Sequence, residues 1–174
     1  MNHTLRVSVT LVSVGLSLTS AMAASETGVW LTEDGRARIR TERCGANKAL
    51  LCGYIVWAQK TASDDGKPFV DVKNPDPSRR SRPLLGHQLL MGMSSTEDGH
   101  FLGKIYNASN GKSYDVEMWS EDPGRLNVRG CLLVALCQTQ SWTRVVDPAA
   151  GQLLGATNAA GGPRDDGKEE KIAR

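Results

Sequence analysis

The chain has 174 residues, with 21 lysines and arginines against 19 aspartates and glutamates, and 40% of its residues are hydrophobic. This length is enough for one domain with a sizeable core. The near-neutral charge argues against a nucleic-acid-binding protein, which needs a basic face to neutralise phosphates, and against a polybasic membrane patch.

The first 23 residues predict a cleavable signal peptide. Arg6 precedes an apolar run from Val7 to Leu18, and the small-x-small pattern of a cleavage site follows at 21–23. The run is too short for a membrane span of about 20 residues, and no second segment is long and apolar enough. We therefore expect an exported mature chain without a membrane span, in the periplasm or secreted.

Four cysteines remain after export, at Cys44, Cys52, Cys131 and Cys137. An even count in an exported chain favours disulfides, and four cysteines allow three pairings. The spacings favour two local bridges, Cys44–Cys52 and Cys131–Cys137, each closing a reversal between neighbouring strands. The alternative is a zinc site with four thiolates, which usually shows two Cys-x-x-Cys pairs.

From residue 28 to residue 146 the chain alternates short strands with turn-forming residues, without a helical period. The closing strand places Thr139, Ser141, Thr143 and Val145 on one face and Gln138, Gln140, Trp142 and Arg144 on the other. Eight antiparallel strands are the usual number for a small up-and-down barrel that can hold one small ligand. The predicted strands are Gly28–Thr32, Arg36–Glu42, Leu51–Ala58, Leu85–Met93, His100–Tyr106, Lys112–Trp119, Arg125–Gly130 and Cys137–Val146.

Two segments break this pattern. Lys60–Pro83 is too rich in proline for a central strand, and a long loop in a compact domain is often functional, so we expect it to form a lid over the barrel mouth. Its Arg79 and Arg82 could grip an anionic group, or lie on a solvated face. Residues 147–174 have few large apolar side chains and predict a disordered tail after the barrel domain, 24–146.

Six short motifs resemble, in order, a family of exported bacterial proteins named domain of unknown function 2147. They are Gly28-Val29-Trp30, the run from Leu51 to Trp57, the run from Asp71 to Asp76, the run from Ser81 to Gly86, the run from Gly103 to Tyr106, and the run from Ser141 to Val145. The resemblance implies a lipocalin-like (calycin) barrel. It also implies that Gly28, Trp30 and Arg144 have the calycin structural role, in which an arginine of the last strand packs on the tryptophan of the first. Trp142, next to Arg144 on the closing strand, is assigned to the same structural group.

The sequence gives little support to catalysis. It has no Gly-x-Ser-x-Gly elbow, phosphate-binding glycine loop or His-Glu-x-x-His motif, so we expect no enzyme and no cofactor. A metal-dependent enzyme is the third hypothesis, and it would need His87 and His100 to converge on one metal; we favour separate structural roles for them. Asp71, Asn74 and Asp76 could bind calcium but are more typical of turns.

The main functional hypothesis is a binding module for a small apolar or amphipathic molecule. The candidate lining comprises Trp57, Met91, Tyr106, Tyr114 and Met118, with Arg79 and Arg82 at the entrance. The same apolar side chains could simply fill a core. The alternative function is an envelope protein–protein interaction module without a small ligand.

Overall fold

The computed structural model describes residues 26–133 and 136–165; the predicted signal peptide and the last residues of the predicted tail lie outside these ranges. In the described part, no helix is long and apolar enough to cross a membrane. Eight strands form, with bounds within a few residues of those predicted. They are β1 Gly28–Leu31, β2 Ala37–Cys44, β3 Leu50–Ala58, β4 Gln88–Ser95, β5 Phe101–Asn107, β6 Lys112–Asp122, β7 Arg125–Leu133 and β8 Leu136–Arg144. Two short 3-10 helices, Ala46–Lys48 and Pro77–Arg79, lie in the connections.

The strands close into an antiparallel barrel in sequence order, and β1 pairs with β8 through Trp30 opposite Arg144 and Leu31 opposite Thr143. This confirms the predicted all-β, up-and-down barrel. We call the end where β1 begins and β8 ends the lower end. The upper end carries the turn 32–36, the loop 59–87 and the turn 108–111.

The interior of the barrel is packed with inward-facing apolar side chains from all eight strands. Their burial supplies the main stabilisation of the fold, at roughly 25 cal/mol per Å² of apolar surface. The core side chains are Trp30, Ile39, Leu51, Leu90, Met93, Phe101, Val116, Met118, Leu126, Val128 and Trp142.

The lower end is closed by a stack of Arg144 on Trp30. The guanidinium carbon lies 4.1 Å from the centre of the indole, and Arg144 Nη1 donates to the carbonyl of Thr27 at 2.9 Å. Gly28 has a φ of +145°, and a Cβ there would lie 2.2 Å from Arg144 Nη1, so the site requires glycine. The guanidinium therefore occupies the space that a side chain at position 28 would take.

Both local disulfides form as the spacing predicted. Cys44–Cys52 joins β2 to β3 and Cys131–Cys137 joins β7 to β8, which uses all four sulfurs and leaves no thiolate for zinc.

The loop 59–87 lies against the outer wall of the barrel, in contrast to the lid that the sequence suggested. Tyr106 points outward because its neighbour Ile105 points inward, and its hydroxyl donates to Asp71 Oδ1 at 2.7 Å. Asn74 Nδ2 donates to the other oxygen of Asp71 at 2.5 Å, and both loop residues are 1% exposed. These buried polar contacts bind the loop to β5.

Residues 147–165, which we call the C-terminal strap, also lie on the outer wall, whereas the sequence suggested disorder from residue 147. Arg38 Nη1 donates to the carbonyl of Asp147 at 2.7 Å, and Arg40 Nη1 donates to the carbonyl of Gly155 at 2.8 Å. Charged donors on β2 thus bind the backbone of the strap and help to order a segment that has few large apolar side chains.

Candidate functional site

The upper half of the barrel contains an open cavity of about 320 Å³. It lies between the inward faces of β5, β6, β7 and β8 and opens at the upper end. The residues that line it are Ile105, Asn107, Asn110, Tyr114, Val116, Val128, Gly130, Cys131, Leu136, Gln138, Gln140 and Trp142.

The inner part of the cavity is apolar. Val116, Val128 and Trp142 belong to the buried core and form its floor. Gly130 lies opposite Gln138 in the β7–β8 ladder, and a Cβ at Gly130 would meet no heavy atom within 4 Å. The absence of a side chain at position 130 therefore keeps part of the barrel interior empty.

The cavity is open because β1 is short. β1 has four residues, and the two pairs of the β1–β8 ladder join only the lower part of β8 to it. Above them, the backbone nitrogen of Ser141 donates to Glu33 Oε1 at 3.3 Å. Since β8 rises about 3.4 Å per residue, its upper residues extend well beyond the end of β1 and leave that side of the mouth uncovered.

Amide side chains from the β5–β6 turn surround the mouth. Asn107 Oδ1 accepts from the backbone nitrogen of Ser109 at 2.9 Å, and Asn110 Oδ1 accepts from that of Lys112 at 3.0 Å. Asn110 Nδ2 donates to the hydroxyl of Tyr114 at 2.8 Å. The turn therefore fixes the orientation of both amides and of the phenol.

A fourth polar group lies deeper, on β8. The indole nitrogen of Trp142 donates to Gln140 Oε1 at 2.9 Å, which fixes the Gln140 amide beside the apolar floor. Gln138 precedes Gln140 by two residues on β8, so it lies above Gln140 on the same inward face of the strand.

The cavity lining is electrically neutral: among the described residues, it contains no acidic, basic or imidazole side chain. The charged groups nearby are on the outer face of the same strands, in a surface depression of about 620 Å³. There Lys104 pairs with Asp115 at 2.5 Å and Arg129 with Glu117 at 3.8 Å. Ion pairs exposed in this way contribute little to stability, and they satisfy one another.

The structure brings two of the predicted lining residues to the cavity region. Tyr114 lines the cavity, and Met118 is fully buried in the core that fills the barrel below it. Met91 is buried but lies on the outward face, opposite Lys104. Trp57 is also outside the barrel, where it stacks on Arg38 and donates to the carbonyl of Ala150 in the strap.

The remaining predicted residues lie in the loop on the outer wall or contact it from β5. Tyr106 binds Asp71, and Arg79 Nε pairs with Asp76 Oδ2 at 3.1 Å. Arg82 makes backbone hydrogen bonds within the loop, where its carbonyl accepts from the nitrogen of Asp71. None of these three lines the cavity in the described structure, so the expected anion entrance is not at the mouth.

The two histidines lie at opposite ends of the barrel, just before β4 and β5. His87 is buried with its ring 5.1 Å from that of Tyr106. His100 Nδ1 contacts Glu117 Oε1 at 2.8 Å, and its ring stacks on Trp119. The hydrogen bond to Glu117 raises the pKa of His100, with further support from the charges of Asp98, Glu117 and Glu121. This separation does not provide the joint metal site considered above.

Sequence reasoning missed the amide groups of the site. The alternation of the closing strand predicts that Gln138 and Gln140 share a face with Trp142, but it does not indicate that this face lines a cavity. Asn107 and Asn110 lie in a segment, 107–111, whose composition is typical of a turn, and their position at the mouth depends on which end of the barrel is hollow.

Comparisons with known proteins agree with the fold. The family model described as "Uncharacterized protein conserved in bacteria (DUF2147)" matches residues 28–144, and the chain belongs to this family. Among solved structures, a similar one is protein HP1028 from Helicobacter pylori, described as belonging to the lipocalin family. It has 21% sequence identity and a TM-score of 0.58, and the match covers 72% of this chain and 86% of that one. A search of curated proteins gave no match.

Proposed function

We propose that this protein is an exported binding protein that holds one small apolar or amphipathic molecule in the upper barrel cavity. The observation that carries the proposal is the hollow upper half of a barrel whose lower half is filled. Its volume of about 320 Å³ lies at the small end of the range of ligand pockets, about 300–1,000 Å³. An apolar floor with a few fixed polar groups at the mouth is the usual composition of such pockets.

The proposal places the protein in the periplasm or outside the cell. Two disulfide bonds are typical of an oxidising compartment, and the first 23 residues carry the pattern of a signal peptide. Binding is favoured over catalysis because the lining offers a phenol and amides as its polar side chains, and no carboxylate or imidazole for acid–base work.

Blocking the cavity tests the proposal directly. Gly130→Leu projects a side chain into the cavity from a position where a Cβ meets nothing, so the fold should be retained. Thr139→Leu is the matched control, because Thr139 lies opposite Arg129 on the outer face and is exposed. Each mature protein is purified from a bacterial periplasm and examined by native mass spectrometry, and then by solvent extraction.

The expected result is an added mass on the wild type and Thr139→Leu that is released on denaturation and is absent from Gly130→Leu. Titration with the neutral dye N-phenyl-1-naphthylamine provides a second readout, with fluorescence enhancement in the first two proteins alone. The proposal fails if wild type shows neither added mass nor dye uptake, or if Gly130→Leu retains both.

The second hypothesis is an envelope interaction module without a small ligand. A contiguous apolar patch would favour it. The exposed large apolar side chains of the described residues come from several different elements: Phe69, Val72, Leu102, Leu136, Val146 and Leu154. A wild-type protein that has the mass of the chain alone and takes up no dye would favour this hypothesis.

A further inference from the structure

We infer that the cavity selects an uncharged ligand whose polar end carries hydrogen-bond acceptors, such as the carbonyl of a ketone, ester or lactone. The inference rests on the proposed binding function and adds the chemical class of the ligand. It follows from the orientation of the amide groups at the mouth and above the floor.

The orientation of Asn107 is fixed by a partner that can only donate. Its Oδ1 accepts from the backbone nitrogen of Ser109, so the two atoms of the amide cannot exchange places. In the described part of the chain the Asn107 Nδ2 has no protein partner. Asn107 therefore presents an N–H donor at the mouth.

The orientation of Gln140 is fixed in the same way. The indole nitrogen of Trp142 is donor-only, so the oxygen it contacts is the amide oxygen of Gln140. Within the described residues the Gln140 Nε2 has no protein partner either. A second N–H donor is thus available just above the apolar floor.

Tyr114 supplies a third donor. Asn110 Oδ1 is occupied by the backbone nitrogen of Lys112, so Asn110 Nδ2 is the atom that faces the phenol. The Tyr114 oxygen accepts that hydrogen bond, and its own hydrogen remains available to a ligand. The adjacent amide of Gln138 is not fixed by a partner in the described structure and can adapt to either kind of group.

In these contacts the amide oxygens already accept hydrogen bonds from protein groups, while N–H and O–H donors remain available to a ligand. A ligand with acceptors finds donors at Asn107, Tyr114 and Gln140 along the cavity lining, whereas a ligand with only donors would face their N–H and O–H groups. An anion would also accept, but it would enter a neutral lining without a cation to compensate the loss of its hydration. The arrangement therefore favours a neutral acceptor over both a cation and an anion of similar size.

Three probes with ten carbons each separate these classes: δ-decalactone, decanoate and decylammonium, each competing with N-phenyl-1-naphthylamine at neutral pH. For wild type we expect the lactone to displace the dye at least about tenfold more strongly than either ion. The ammonium forgoes one or two hydrogen bonds with the donors, and the carboxylate loses hydration that the neutral lining does not replace. Equal or tighter binding of either ion would overturn the inference while leaving the binding function in place. If the wild type takes up no dye, or if Gly130→Leu takes up as much dye as the wild type, the binding function itself is overturned.

Gln140→Glu tests the named donor. The carboxylate retains the oxygen that accepts from Trp142 and replaces Nε2 with a charged acceptor. We expect lactone affinity to fall at least about tenfold and decylammonium to become the preferred of the two. Thr139→Glu adds the same charge at the neighbouring residue, whose side chain lies on the outer face of the barrel. This variant should keep the wild-type order of probe affinities.

The inference is overturned if Gln140→Glu, like the control Thr139→Glu, binds the three probes in the same order of affinity as the wild type. Asn107→Asp is an independent second variant, since its remaining oxygen still accepts from Ser109 while the donor is lost. It should shift the preference in the same direction, and thermal melting identifies any variant that does not fold.

Discussion

The closure of the lower end predicts a large loss of stability for Arg144→Lys, although the charge is retained. The guanidinium stacks on Trp30 at 4.1 Å, and it donates to the carbonyls of Thr27 and Pro123 from two different nitrogens. A lysine ammonium is a compact donor that neither stacks on the ring nor spans both carbonyls. The substitution therefore removes one charge-assisted hydrogen bond and most of the stacking.

The magnitude follows from these two losses. A hydrogen bond to a charged group contributes about 1.5–3 kcal/mol, and a desolvated cation–π contact about 1–2 kcal/mol, of which lysine recovers a part. We expect a decrease of about 2–4 kcal/mol in the free energy of unfolding. For a domain of this size, 1 kcal/mol corresponds to about 4 °C, so Tm should fall by about 8–16 °C.

Urea unfolding, followed by tryptophan fluorescence with the disulfides intact, measures this change. Arg43→Lys is the matched control, because Arg43 lies over Phe101 at 5.1 Å but is exposed, and it should cost less than about 0.5 kcal/mol. Gly28→Ala should also destabilise and should not add to Arg144→Lys, since both act on the position of one guanidinium. Equal costs for Arg144→Lys and Arg43→Lys would refute the reasoning.

Two further predictions concern the outer wall. Tyr106→Phe removes a hydrogen bond to the buried Asp71, so the free energy of unfolding should fall by about 1.5–3 kcal/mol and trypsin should cleave the loop 59–87 faster. Tyr114→Phe is the control at the open mouth, and it should lower the free energy of unfolding by less than about 0.5 kcal/mol. The raised pKa of His100 gives stability that is full below its unfolded pKa of about 6.5 and is lost as pH rises through the folded value. The Tm difference between wild type and His100→Gln should therefore be largest below about pH 6.5 and shrink as the pH rises above it, and a constant difference would contradict the role of Glu117.

The architecture could be read from the sequence because a barrel with a buried interior has a strict period of two. In β8 the alternation placed Gln138, Gln140, Trp142 and Arg144 on one face, and the structure has all four inward. The turn-forming residues between the strands then predicted their number, and the short spacings favoured the correct disulfides.

The contents of the barrel could not be read in the same way. Met91 and Met118 have the same chemistry and both lie on strands, yet one points outward and the other inward. A β-bulge between β4 and β5 shifts the register near Met91, and composition does not report such a shift. Which half is hollow depends on the length of β1 and on the missing side chain at Gly130.

The loop and the strap differed from expectation for a related reason. Both are ordered by polar contacts with outward-facing side chains of strands: Tyr106 holds Asp71, and Arg38 and Arg40 hold carbonyl groups of the strap. A composition that is poor in large apolar residues indicates disorder only if burial is the main source of order. Here hydrogen bonds from the barrel wall provide the order instead.

The two ends of the barrel therefore have different physical roles. At the lower end, Arg144 and Trp30 close the interior and a filled core supplies stability. At the upper end, Gly130 and the short β1 leave space that core packing would otherwise use to stabilise the fold. An empty, apolar-floored volume lowers stability, whereas a ligand that fills it adds contacts and binding energy to the folded state alone. A bound ligand should accordingly stabilise the upper strands against opening, which makes the hollow half the part of the fold most sensitive to occupancy.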